Sequence, residues 1–144
     1  VSPAFLFAVF LWPSVQHKAE QLISQRTPIF IAYQHAVSDT LSNQQKHITI
    51  PRRYSAAIRE IWDLQHRLTQ RRSFMLSRLM RHPRFRAAYD FLLLRAETNE
   101  ILPEIGTWWT CFLEGDDETR KQLTAAVANP PKSAKRPKKR GKTA

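Results

Sequence analysis

Between Ile48 and Arg95 the chain carries eleven arginines and no lysine, and the apolar residues among them recur at helical spacing. At about 100° per residue, Tyr54, Ala57, Ile58, Ile61, Leu64 and Leu68 gather on one arc, while Arg52, Arg53, Arg59, Arg67 and Arg71 gather on the opposite one. A stretch patterned this way buries its apolar side only as a helix packed on other helices. The same period continues from His82-Pro83 to about Thr98, where Phe85, Ala88, Tyr89, Leu92 and Ala96 share a face. Phe91 and Leu94 fall on another face, which predicts a central position for this helix.

The rest of the chain fits an all-α, compact multi-helix body. Three glycines, few hairpin dipeptides and no valine/threonine alternation argue against a sheet. Residues 3–26 read as a helix with Pro3 in its first turn and Pro13 interrupting it; Phe5, Phe7, Phe10 and Trp12 cover several of its faces, which predicts burial on more than one side. A second helix over about 28–46 carries the stripe Ile29, Ala32, Tyr33, Ala36, Val37 and Leu41. Ile48–Pro51 is an extended connector, because a residue before proline is pushed out of the helical region. Arg71-Arg72-Ser73 marks the turn after the arginine helix, and a short helix over about 74–81 offers Phe74, Leu76, Leu79 and Met80. A last packed helix over 100–113, interrupted at Pro103 and Gly106, is anchored by Trp108, Trp109 and Phe112 and ended by Gly115. The expected division is a helical body over 1–115, a weak helix or linker over 116–129, and a disordered basic tail over 130–144.

The formal charge of +11 is segregated. Residues 130–144 hold seven Lys/Arg and no acid, and residues 48–95 set eleven arginines against Glu60, Asp63 and Asp90. Such segregation points to a polyanionic partner, nucleic acid ahead of an anionic membrane. Guanidinium groups fork onto phosphate oxygens and stay charged at any working pH, which accounts for arginine in place of lysine. The competing reading is a solvated flank, since Asp63 lies four residues from both Arg59 and Arg67, and Asp90 four from Arg86. The excess of arginine over acid favours the phosphate reading. In the tail, Lys135, Arg136, Lys138, Lys139 and Arg140 form a flexible cation that binds nucleic acid through counterion release or simply aids solubility or localisation. Among the aromatics, Tyr54, Tyr89, Trp108 and Trp109 are spaced as core, and Trp62, on the margin of the apolar arc, is the best candidate to stack on a base.

Cys111 is the only cysteine, so no internal disulfide forms and a reducing, cytoplasmic location is expected. Ala4–Trp12 lacks a basic leader and is stopped by Pro13 well short of the ~18 residues of a membrane span. A chain that opens on Val1 directly into such a helix reads as a piece of something longer. Chemistry is not visible. The five histidines show no ligand spacing, His82 reads as a helix-start residue, and Asp116-Asp117 read as helix caps. No P-loop, G-x-S-x-G or H-E-x-x-H occurs, so neither a catalytic nor a metal residue is assigned.

Three segments resemble the C-terminal part of bacterial poly(A) polymerases, members of the class II tRNA nucleotidyltransferase/poly(A) polymerase family. They are P-A-F-L-F-A-V-F-L-W at 3–12, I-P-R-R-Y-S-A-A-I-R-E-I-W-D-L-Q at 50–65, and H-P-R-F-R-A-A-Y-D-F-L-L-L-R-A-E at 82–97, with Trp108-Trp109 and the basic tail in the same order. The resemblance implies a helical body that holds single-stranded RNA behind a catalytic head. In that family the head binds ATP and Mg²⁺ and adds AMP to RNA 3′ ends, using a Gly-Ser followed by an Asp-x-Asp pair. This chain contains neither, so no cofactor is assigned to it and alone it is expected to be inactive. Its expected partners are RNA, contacted by Arg52, Arg53, Arg59, Arg67, Arg71, Arg72 and Arg84, and the N-terminal head of the same polypeptide; a monomer and no membrane are expected. Two other classes compete, a helical DNA-binding regulator and a protein-interaction module docking through the 3–12 helix.

Overall fold

The structure, a computed structural model, describes residues 2–128. Among the described residues the chain forms seven α-helices and no strand: α1 (Pro3–Ser24), α2 (Ile29–Gln45), α3 (Arg52–Gln70), α4 (Leu76–Met80), α5 (Phe85–Glu97), α6 (Pro103–Glu114) and α7 (Asp117–Ala128). A single 3₁₀ turn, Ser73–Met75, joins α3 to α4. The all-α expectation holds. The expected basic tail lies outside the described residues.

Helix ends follow from local chemistry. The Ser2 hydroxyl accepts from the Phe5 amide to cap α1, and Asp116 Oδ1 accepts from the Thr119 amide at 2.8 Å to cap α7. That bond to the charged carboxylate holds the Asp116 pKa below its ordinary value. Arg26, Arg71 and Asn99 adopt positive φ just past α1, α3 and α5. At Asn99, a residue type that tolerates this conformation, the Glu100 amide reaches back to the Arg95 carbonyl at 3.0 Å, so the chain reverses sharply.

Two helices differ from what the proline and glycine positions predict. Pro13 does not interrupt α1, which runs through it; Pro13 lies on the exposed side, where a missing backbone bond is least costly. Nor does the last packed helix start at Glu100. Pro103 occupies its first turn, where its lack of an N–H costs nothing, and Gly106 lies inside a continuous helix.

Helix α3 joins two apolar cores. Its first half, with Ala57, Ile58, Ile61 and Trp62, packs with α1, α2 and Phe91. Its second half, with Leu64 and Leu68, packs with α4, α5 and α6 around Trp108, Trp109 and Phe112. Buried ring N–H groups tie the layers: Trp62 Nε1 donates to the Ala8 carbonyl at 3.0 Å, and Trp109 Nε1 to the Leu68 carbonyl at 2.7 Å. Gly106 lets α6 approach α5 closely, since a Cβ there would stand 3.1 Å from Ala96 Cβ. Leu123 and Val127 of α7 complete the second core, and Trp108 Nε1 donates to the Leu123 carbonyl.

Candidate nucleic-acid interface

With one face of α3 sunk in both cores, its other face is left to water. Arg52, Arg59, Asp63 and Arg67 follow one another there at seven- and four-residue steps, the spacing of a single line along a helix. At 1.5 Å per residue this line is about 22 Å long. Arg59 Nη1 donates to Ser38 Oγ of α2 at 3.3 Å, and Asp63 and Arg67 line the groove between α2 and α3, so the line follows the lip of that groove.

The groove deepens into a cleft of about 520 Å³. Trp12, Trp62 and Gln65 form its buried base, and Phe30, Tyr33, His66 and Arg67 are among its walls. Trp12 and Tyr33 stack with centroids 6.0 Å apart, and burial raises the Tyr33 phenol above its ordinary pKa. Asp63 is exposed on its outer side but lines the cleft, and this partial desolvation raises its carboxyl pKa against the opposing pull of Arg67 and Arg59. Gln65 is fully engaged: its Nε2 donates to the Ile61 and Ala88 carbonyls, and its Oε1 accepts from Arg95.

The seven arginines named from sequence divide. Ion pairs among the described residues join Arg84 to Glu60, Arg86 to Asp90 and Arg95 to Glu100; Arg52, Arg53, Arg59, Arg67, Arg71 and Arg72 have no carboxylate within 4.0 Å. The i,i+4 pairing of Asp63 with Arg59 or Arg67 does not form at that distance. Arg53 lies over the Tyr54 ring at 4.8 Å. Arg71 is displaced from the open line: it is the half-buried cap of α3, lies over the Trp108 ring at 5.3 Å, and burial lowers its pKa. Arg84, bonded to Glu60 at 3.1 Å, is partly neutralised. Lys135, Arg136, Lys138, Lys139 and Arg140 lie outside the described residues.

Two aromatic assignments change. Trp62, the best candidate among the aromatics to stack on a base, is 3% exposed with its ring N–H engaged, so it cannot meet one. Phe74, expected in the core, is 75% exposed, and Phe30 of α2 is 67% exposed. The sequence held a signal for Phe30, which stands off the apolar stripe of its helix. It held none for Phe74, whose 3₁₀ turn breaks the period.

Residues 25–143 match the family described as polymerase A arginine-rich C-terminus. This chain belongs to that family. It is 33% identical over 146 aligned positions to poly(A) polymerase I of Salmonella typhi, covering 97% of this chain and 31% of the relative. The same figures describe poly(A) polymerase I of Escherichia coli O157:H7. Against poly(A) polymerase I of Haemophilus influenzae the identity is 37% over 126 positions, covering 85% of this chain and 28% of the relative. The chain thus spans about a third of the length of these relatives. The open arginine face of α3 lies wholly within the residues that match the family.

Proposed function

We propose that this chain is the RNA-holding region of a bacterial poly(A) polymerase, a polynucleotide adenylyltransferase whose head, elsewhere in the same polypeptide, adds AMP from ATP to RNA 3′ ends. One observation carries the reading: among the described residues, Arg52, Arg59 and Arg67 run along an open helix face with no carboxylate within 4.0 Å, while Arg84, Arg86 and Arg95 are paired. An unpaired guanidinium line held on a rigid helix meets a phosphate backbone without first giving up internal partners.

ATP and Mg²⁺ belong to the head in this reading. The chain has no Gly-Ser and no Asp-x-Asp, and among the described residues no three His, Cys, Asp or Glu side chains gather. Its own part is to bind and orient the strand, with Lys135, Arg136, Lys138, Lys139 and Arg140 adding sequence-independent affinity. The apolar pair Leu6 and Phe10, one turn apart and exposed on α1, suits contact with the head. No helix among the described residues is long and apolar enough to cross a membrane.

The test is equilibrium binding of labelled single-stranded RNA across a salt series. The logarithm of affinity should fall with the logarithm of salt by about 0.7 per phosphate contacted. A salt-independent affinity, or a preference for duplex DNA over single-stranded RNA, refutes the reading. Incubated with ATP, Mg²⁺ and RNA, the chain alone should add no AMP.

A further inference from the structure

Beside the arginine line, Phe30 and Phe74 stand in water, although aromatic rings on a small domain are normally covered. Both line a shallow hollow of about 320 Å³ that also includes His66, Arg67, Gln70 and Arg72. Phe30, His66 and Arg67 also line the deeper α2–α3 cleft, so hollow and cleft form one trough. Neither Arg67 nor Arg72 has a carboxylate within 4.0 Å among the described residues.

The combination restricts the occupant. An apolar peptide would cover Phe30 and Phe74 but strip water from Arg67 and Arg72 without giving them partners, which is costly. An acidic peptide would satisfy the guanidiniums and leave the rings idle. A nucleotide uses both, because its base is a flat ring and its phosphate is a forked acceptor. We propose that this trough takes unpaired bases of a single RNA strand, with Phe30 and Phe74 stacking on them and Arg67 and Arg72 holding the flanking phosphates. The inference rests on the RNA-holding reading and adds a base-contacting element to it.

The test compares binding of a labelled oligoadenylate with that of an abasic ribose-phosphate strand of equal length, using the full chain. Phe30→Ala combined with Phe74→Ala should weaken oligoadenylate binding about 10-fold or more. Affinity for the abasic strand and the salt slope should stay unchanged. Both side chains are exposed, so the fold should survive, and the helical circular dichroism melt checks it. Phe30→Trp combined with Phe74→Trp should restore oligoadenylate binding. Unchanged oligoadenylate affinity in the double alanine variant overturns the inference and leaves RNA holding intact. An equal loss for both strands also overturns it, as does unchanged RNA affinity with weakened docking of the polymerase's other domains. If the parent chain binds neither strand, the RNA-holding reading fails as well.

Discussion

The Arg95 guanidinium lies over the Trp12 ring, 4.8 Å from its centroid, and both side chains donate to one oxygen, Glu100 Oε1, each at 2.7 Å. Gln16 Nε2 reaches the same oxygen at 2.6 Å, so one carboxylate staples α1 to the end of α5. The Arg95 side chain is only 11% exposed and Glu100's is 26% exposed, which makes this a largely desolvated pair. Arg95→Ala should therefore destabilise the fold by about 3 kcal/mol, since it also frees Gln65 Oε1 in the core. The urea denaturation midpoint checks this; a shift worth under about 1 kcal/mol would reduce the pair to an ordinary surface contact.

Removing the open arginines should change the salt dependence of RNA binding. Alanine at Arg52, Arg59 and Arg67 together should lower the salt slope by about 2 units, about 0.7 for each phosphate no longer held. Arg84→Ala should do less, because Glu60 already engages that guanidinium. Glu60→Ala should tighten binding by releasing it. Affinity titrations at four or five salt concentrations separate these outcomes.

Asp63 places a carboxylate inside the arginine line, with its pKa raised by partial desolvation. A raised folded-state pKa means that the folded chain favours the protonated acid. Its stabilising contribution is complete below the ordinary carboxylate range and is lost as pH rises through the raised value. At neutral pH the charged form thus weakens the fold. Asp63→Asn should raise the neutral-pH Tm, with the gain vanishing in acid. It should also tighten RNA binding about fivefold at low salt, the effect of removing ~1 kcal/mol of repulsion. Thermal melts between acid and neutral pH, with one anisotropy titration, decide both points.

Gly106→Ala tests the α5–α6 contact. Alanine is the better helix former by about 1 kcal/mol, yet its Cβ would meet Ala96 Cβ at 3.1 Å and Leu93 Cδ2 at 3.3 Å. The Ala96 methyl is fixed to a packed helix and cannot turn aside. Overpacking should prevail, with a net destabilisation of about 1 kcal/mol, read as a lower denaturation midpoint. A stabilised variant would show that α5 and α6 separate freely.

What could be read from the chain is what repeats locally. Period 3.6 identified the buried arc of α3, and Trp108, Trp109 and Phe112 are core as their spacing implied. Periodicity assigns a side but not a partner. The bond between Trp12 and Glu100 spans 88 positions, and nothing near either residue announces it. For the same reason Trp62, at the arc margin, reads as available in the sequence, although α1 covers it in the fold. Arg84, just before α5, and Glu60 of α3 lie 24 positions apart, so their pairing is equally hidden. Arg71 looks like one more exposed cation, but its left-handed backbone turns it toward Trp108.

Because α3 contributes to both apolar cores, neither half of the bundle can come apart without withdrawing support from the other. Damage near Phe112, on α6 rather than on α3, would therefore blur the spacing of the cations on the outer side of that shared rod. Their alignment is a property of the whole bundle's cooperativity, and a substitution that never approaches a phosphate can still loosen the grip on a strand.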